Sequence, residues 1–214
     1  MNPKVAATAK RQRLAPTERR SQIIEEAVAY FSEVGVSGNT RLLARRLGVT
    51  QSLIFNYFGS KTELVEAVYN KVYLDRLSPE WPALITDRTK PLRTRMIVFY
   101  REYADAIFTY EWMRIFMYSG LAGNELNRRY LAHLSSLVLV PLLGELQHEV
   151  RGSDKPEMED AWNLHGGIVY IGIRRFVYQV PCPEDPTDAI ERAVDRFLAS
   201  FGLLQKDQGQ LREG

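Results

Sequence analysis

The segment from residue 39 to residue 64, NTRLLARRLGVTQSLIFNYFGSKTEL, constrains the fold of this chain more than any other. Its apolar residues fall at helical spacing over Thr40 to Leu47, and Gly48 follows where a helix can end in the left-handed conformation that glycine tolerates. Thr50 is then a favourable N-cap for a second helix, from Gln51 to about Tyr57. The sequence therefore predicts two short helices joined by a tight glycine turn.

This arrangement is the helix-turn-helix layout, in which the second helix enters the major groove of DNA. The second helix would expose Gln51, Ser52 and Asn56, which carry hydrogen-bonding groups and no negative charge. Glutamine and asparagine can each form two hydrogen bonds with the edge of adenine. We therefore expect this segment to bind DNA.

A longer pattern, A-x-x-x-G-V-[ST]-x-x-x-[LI]-[YF]-x-[YH]-F-x-S-K-x-x-L, runs through the same segment. It consists here of Ala44, Gly48, Val49, Thr50, Ile54, Phe55, Tyr57, Phe58, Ser60, Lys61 and Leu64. The pattern resembles the DNA-binding half of the tetracycline-repressor (TetR) family of transcriptional regulators, and the resemblance covers about the first third of the chain. One position departs from it, because Phe55 stands where the family usually has tyrosine, so a hydroxyl group that could contact phosphate is missing.

Exposure and this resemblance together assign roles in DNA binding. The residues concerned are Thr40, Thr50, Gln51, Ser52, Asn56, Tyr57 and Lys61. The two threonines would donate hydrogen bonds to phosphates, the three polar residues of the second helix would contact base edges, and the last two would hold the DNA backbone. For Arg41, Arg45 and Arg46, phosphate contact and plain solvation remain equally open.

Charge is distributed unevenly along the chain. The 214 residues have a net charge of +2, but residues 1–61 contain ten Lys or Arg against four acidic residues. A basic end on a nearly neutral chain is expected of a DNA-binding domain, although a solvated basic face would give the same count.

Length and composition favour one small and one medium domain. We predict a disordered basic arm at residues 1–15, a helix-turn-helix DNA-binding domain at residues 16–62, and a helical ligand-binding and dimerisation domain at residues 63–214. The arm could contact DNA, as homeodomain arms do, or be an ordinary mobile terminus.

Helical periodicity dominates both predicted domains, so we predict an all-α fold. In the first domain Thr17 would cap a helix that Gly35 closes, and Ser60 with Glu63 would form a capping box. Three prolines within residues 77–91 predict a linker or an irregular turn. Beyond it the predicted helices are Leu92–Tyr110, Glu111–Ala122, Asn124–Val150 with a kink at Pro141, Lys155–Val180 with a capping box of Asp154 and Glu157, and Pro186–Leu204 with Asp185 and Pro186 at its start.

In the C-terminal half, the family resemblance implies a cavity for a small-molecule effector. Aromatic residues crowd two consecutive helices, and apolar walls with a few polar groups are suited to such a pocket. The residues proposed to bind the ligand are Tyr103, Trp112, Phe116, His133 and Tyr170. An ordinary hydrophobic core gives the same aromatic spacing and stays an alternative.

The last two helices are expected to form a homodimer interface, as the resemblance implies. They carry small and large apolar residues on one face, and the interface residues proposed are Ile168, Ile171, Gly172, Val194, Phe197 and Phe201. A dimer would present two recognition helices to successive major grooves, roughly 34–36 Å apart or somewhat farther, on a palindromic operator. Packing inside one protomer remains the alternative.

Other classes of function find little support in the sequence. Three histidines lack metal-ligand spacing and Cys182 has no evident base, so we expect no catalytic residues, no metal and no cofactor. A lone cysteine and the lack of a long apolar run favour a cytoplasmic protein without a membrane span. We therefore expect a repressor that a small molecule releases from its operator. The rivals are a DNA-binding protein of the same fold that answers to a protein partner or acts architecturally, and a ligand carrier or enzyme with a relic DNA-binding domain.

Overall fold

The computed structural model of the protein describes residues 14–123 and 125–204, and these residues form helices and turns without a strand. The predicted all-α fold is confirmed. The helices are α1 (Pro16–Val34), α2 (Thr40–Leu47), α3 (Gln51–Phe58), α4 (Lys61–Val72), α5 (Trp81–Thr86), α6 (Leu92–Ile107), α7 (Tyr110–Leu121), α8 (Glu125–Leu134), α9 (Val140–Glu149), α10 (Met158–Phe176) and α11 (Thr187–Ser200). We call α1 to α3 the head and α5 to α11 the body. The predicted basic arm lies outside the described residues, apart from its last two.

Helix α1 forms because apolar residues recur at three- and four-residue steps. Ile23, Ala27 and Phe31 are fully buried. The expected cap at Thr17 was wrong: the helix begins with Pro16, whose missing N–H costs nothing at that position. The carboxylate of Glu18 instead accepts a hydrogen bond from the backbone N–H of residue 15, at 2.9 Å.

Residues 77–91 are not the linker that their three prolines predicted. Helix α5 lies within them, and its Trp81 and Ile85 are 2% and 1% exposed. The indole Nε1 of Trp81 donates to the carboxylate of Glu102 on α6, at 3.0 Å. A buried indole satisfies its N–H in this way, so the segment belongs to the core of the body.

Helices α8 and α9 continue into each other through one wide turn of π-helix, Ser135–Leu139. Pro141 is the second residue after this turn, and proline cannot donate the backbone hydrogen bond that a regular helix needs there. By length and composition alone the continuous segment Glu125–Glu149, with a mean hydropathy of 1.2, could cross a membrane. Its Val138, Leu142 and Leu146 are instead fully buried against other helices of the described body.

The body also contains a buried ion pair. Arg95 is 1% exposed, and its guanidinium donates to Glu145 Oε2 at 2.9 Å. Arg88 donates to the other carboxylate oxygen, also at 2.9 Å. These hydrogen bonds hold the pKa of Glu145 below its ordinary value, with Arg88 as the larger cause. The network joins α6 to α9 and to the loop after α5.

The last two long helices are shorter than predicted. Helix α10 begins at Met158, because Glu157 is its N-cap and the carboxylate of Asp160 accepts the backbone N–H of Glu157 at 2.7 Å. The capping box expected from Asp154 with Glu157 was therefore wrong by three residues. The cap expected from Asp185 is present in part, since its carboxylate accepts from Thr187 N at 2.9 Å.

Candidate nucleic-acid interface

The turn between α2 and α3 has the geometry that its sequence predicts. Gly48 lies in the left-handed region, with φ 62° and ψ 38°. Asn39 caps α2 by accepting from Arg41 N at 2.8 Å, and Thr50 caps α3 by accepting from Leu53 N at 3.2 Å. Because caps and glycine act within a few residues of the chain, this local sequence suffices to set the two helices.

Helix α3 has one buried face and one exposed face. Ile54 and Phe58 are 0% and 3% exposed and pack α3 against the rest of the head. Ser52 and Asn56, one turn apart, are exposed on the other side. The outer face of α3 thus offers a hydroxyl and a carboxamide to a DNA groove, whereas Tyr57 is half-buried beside it.

The side chain of Gln51 is held by α2. Its Nε2 donates to Thr40 Oγ1 at 2.6 Å, and its Oε1 accepts from Arg41 Nε at 3.4 Å. Thr40 is only 6% exposed, because its side chain faces α3 rather than solvent. The structure therefore corrects the expected place of Thr40: its hydroxyl orients Gln51, and a phosphate contact by Thr40 stays a prediction.

Two other residues keep polar groups free for phosphates. Thr50 uses its oxygen to accept from Leu53 N, which leaves its hydroxyl proton able to donate. Lys61 is the first residue of α4, after the N-cap Ser60, whose oxygen accepts from Glu63 N at 3.1 Å. Partial burial lowers the pKa of Lys61. Its ammonium lies at a helix end that attracts anions, so phosphate binding by Lys61 remains the expectation.

The three arginines of α2 differ in their surroundings. Arg46 pairs with Glu26 and Glu33 of α1, at 2.7 Å in each case. Arg46 therefore joins α2 to α1, and its guanidinium is already paired with two carboxylates. Arg41 and Arg45 are exposed, so phosphate contact and plain solvation both remain open for them.

Direct contacts join the head to the body. Arg114 Nε on α7 donates to the carbonyl oxygen of Ser32 at 2.8 Å, and the hydroxyl of Tyr118 donates to that of Glu33 at 3.2 Å. Arg129 on α8 pairs with Glu66 on α4 at 2.7 Å. These residues are not predictable from the sequence, since their partners lie more than 60 positions away and leave no periodic signal.

The five residues proposed to bind a ligand do not lie in one place. Tyr103 and Trp112 are 1% exposed and lie within the aromatic core of the body, with Phe116 half-buried at its edge. His133 is exposed and Tyr170 is 49% exposed. The expectation that His133 is a polar group of the same pocket was therefore wrong.

A groove of about 530 Å³ lies between the head, α4 and α8, away from these aromatic residues. Its lining includes Lys61 and Glu66 from α4 and Arg129 from α8. This groove borders the junction described above and not the core of the body.

The residues proposed for the dimer interface also divide into two groups. Ile168 and Val194 are 0% exposed, and Ile171 is 7% exposed, so they belong to the core of one protomer. Gly172 is buried against Met113 and Phe108. These four expectations were wrong, because intramolecular packing already covers the residues. Phe197 and Phe201 are half-buried and keep surface that a partner could cover.

The fold and the outer face of α3 define a helix-turn-helix protein. The sequence profile described as "Bacterial regulatory proteins, tetR family" matches residues 23–68. Over 76 residues the chain is 40% identical to the HTH-type transcriptional regulator HbdR of Aromatoleum sp. (strain CIB), and this match covers 35% of this chain and 33% of that regulator. The chain thus matches about a third of the length of this relative.

Solved structures extend the similarity to the body. A TetR-like transcriptional regulator from Rhodococcus sp. RHA1 is similar with a TM-score of 0.66 and 20% identity, over 87% of this chain and 99% of that one. A tetR-family transcriptional regulator from Streptomyces coelicolor is similar with a TM-score of 0.60 and 18% identity, over 87% and 81% of the two chains. At these identities the similarity shows a shared fold. Residues 23–68 match the DNA-binding domain of the TetR family, and the chain shares the fold of these regulators.

Proposed function

We propose that this protein is a cytoplasmic transcriptional repressor that binds a palindromic operator as a homodimer and leaves it when a small molecule binds the body. The observation that carries DNA recognition is the outer face of α3, where Ser52 and Asn56 are exposed and Gln51 is held in a fixed orientation. Their groups match the donors and acceptors of base edges in the major groove.

Dimerisation is proposed through the outer surfaces of α10 and α11. Tyr170 on α10, and Tyr178 and Val180 just after it, are exposed by 49%, 55% and 44%, and Phe197 and Phe201 at the end of α11 are half-buried. Exposed apolar residues of this kind are typical of surfaces that another chain covers. Two copies would place two α3 helices on one face of DNA.

Release by an effector requires that the body and the head respond to each other. Arg114 and Tyr118 of α7 bind the end of α1, and Arg129 of α8 binds α4. A ligand that moved α7 or α8 would therefore change the position of the head. It needs only a different affinity for the two arrangements, worth about 1–3 kcal/mol in typical allosteric proteins.

The test is selection of DNA from a random pool by the purified full chain at near-physiological salt, because phosphate binding without specificity rises steeply at low salt. We expect a palindromic consensus. The double variant Gln51→Ala with Asn56→Ala should lose it, while Asn70→Ala, an exposed amide on α4, should retain it. Selection without any consensus would overturn the operator-specific regulator and favour an architectural DNA-binding protein.

A further inference from the structure

Two apolar side chains of α3 lie outside the hydrophobic core of the protein. Leu53 and Phe55 are half-buried, and neither belongs to the core of the described residues or packs against it. Their neighbours Val49 and Tyr57 are also half-buried, but these two do pack against that core. Packing within the protomer therefore accounts for Val49 and Tyr57 and leaves the apolar surface of Leu53 and Phe55 unexplained.

The helical period places both residues beside the polar face of α3. Successive side chains of an α-helix are about 100° apart around its axis. Phe55 therefore lies about 60° to one side of Ser52, and Leu53 lies about 60° to the other side of Asn56. The buried Ile54 points the opposite way. The surface that α3 offers to DNA is thus a polar stripe with one apolar side chain on each flank.

Each apolar residue is also one helical turn from an amide that can recognise adenine. Phe55 follows Gln51 by four positions, and Leu53 precedes Asn56 by three, which are the spacings of neighbouring side chains on a helix. The carboxamide of Gln51 is oriented by its hydrogen bond to Thr40, at 2.6 Å. In the major groove, adenine offers N6 and N7 to an amide, and its partner thymine carries a methyl group. An amide beside an apolar side chain therefore matches both features of A·T base pairs.

Thymine is the only one of the four bases that presents a methyl group in the major groove. Cytosine presents an amino donor there, and guanine presents two acceptors. An apolar side chain that covered either of these would exclude water from polar groups without replacing their hydrogen bonds, which costs free energy. Apolar side chains in the groove therefore favour thymine over the other bases.

We propose that Leu53 and Phe55 read thymine methyl groups, so that each half-site carries A·T base pairs on both flanks of α3. The proposal rests on the proposed function, because it requires that α3 lie in the major groove of an operator. It gives Phe55 a role that needs no hydroxyl group. The ring contacts a base, in place of the phosphate contact that a tyrosine could make at this position.

Deoxyuridine provides the test, because it lacks the methyl group of thymidine and keeps every hydrogen-bonding group of the base. Each thymine of the selected half-site is replaced in turn, at the same position in both halves of the operator. Fluorescence anisotropy then measures binding of the full chain at one salt concentration. Burying a methyl group changes affinity about fourfold, and the symmetric pair about 15-fold. We expect that loss at two thymine positions of the half-site and no loss at thymines outside it.

Variants assign each thymine to one side chain. Leu53→Ala should bind the thymine and deoxyuridine operators equally well at one of the two positions, and Phe55→Ala should do so at the other. Leu121→Ala makes the same truncation on α7, at a leucine that is 85% exposed, and should keep both deoxyuridine effects. Thermal melting confirms that each variant is folded. The deoxyuridine series with the unaltered chain tests thymine reading even if a variant fails to fold.

The failure of this proposal is distinct from the failure of the proposed function. A selected operator without thymine in its half-sites overturns thymine reading, and so does one in which no deoxyuridine weakens binding. Both results leave the operator-specific regulator standing. A deoxyuridine effect that persists at every position in Leu53→Ala or in Phe55→Ala overturns the role of that residue. Selection without any consensus overturns the proposed function, and the thymine contacts with it.

Discussion

Replacing Thr40 by valine would separate two roles for its hydroxyl group. The sequence predicts that Thr40 donates to a phosphate. In the structure Thr40 is 6% exposed, and its oxygen accepts from Gln51 Nε2 at 2.6 Å. Valine keeps the branched shape and removes the oxygen. If the hydroxyl orients Gln51, Thr40→Val leaves the carboxamide free to rotate before it meets DNA.

The size of the effect follows from that freedom. Ordering one flexible side chain on binding costs about 0.5–1.5 kcal/mol, which corresponds to about a 2- to 13-fold loss of operator affinity per protomer. The loss should be confined to DNA that contains the base pair contacted by Gln51, because unrelated DNA is bound through phosphates. The free energy of unfolding should fall by about 0.5–1.5 kcal/mol, as expected for one hydrogen bond.

Fluorescence anisotropy with the selected operator and with a scrambled duplex measures both affinities at one salt concentration. We expect Thr40→Val to weaken operator binding alone. Thr94→Val, which removes an exposed hydroxyl from α6 in the body, should change neither affinity. Equal weakening on both duplexes would refute the orienting role and restore the phosphate contact.

Three further predictions follow from charges and packing. If the exposed guanidinium of Arg45 binds a phosphate, Arg45→Gln should reduce the slope of DNA affinity against salt concentration by about one released ion. Arg46→Gln should leave that slope unchanged and lower the melting temperature, since Arg46 is paired with α1. The ion pairs of Glu145 contribute stability above the ordinary carboxyl pKa of 4.5, and this stability is lost as pH falls through the lower pKa of Glu145 in the folded protein. Glu145→Gln should be about 3–5 kcal/mol less stable at pH 7. Its free energy of unfolding, measured by denaturation at several pH values, should therefore fall less steeply as the solution is acidified. Gly172→Ala should lower the free energy of unfolding in urea by about 1–3 kcal/mol, because the new methyl would lie 2.9 Å from Phe108 Cδ1. A methyl group at Gly166 meets open space within the protomer. Gly166→Ala should therefore weaken the dimer, as measured by sedimentation, only if a second copy packs against this position.

Features that depend on neighbouring residues were predictable from sequence. Gly48 and Thr50 determine where α2 ends and α3 begins, and both have the predicted conformation and cap. The exposed side of α3 follows from the helical period once Ile54 and Phe58 are assigned to the core. The structure of the head was therefore predictable, because its caps, its glycine turn and its helical period act over one or two helical turns.

Features that depend on distant partners were not predictable. The prolines of residues 77–91 suggested a linker, but Trp81 is buried because Glu102 and the rings of Phe99 and Tyr103 receive it. Apolar spacing on α10 was assigned to a dimer interface, yet Ile168 faces the core of its own protomer. Helical periodicity reports that a face is covered and does not report which chain covers it.

Helix α4 spans the distance between the aromatic core of the body and the DNA-binding turn. This helix has 12 residues and is therefore about 18 Å long. Tyr73 at one end packs on Trp112, while Lys61 at the other end follows the DNA-binding turn. The pair Arg129–Glu66 joins the middle of the helix to α8 at 2.7 Å. Under the proposed mechanism of release, a ligand that shifts α8 would move α4 through this ion pair and so change the position of Lys61, while the turn between α2 and α3 keeps its own caps.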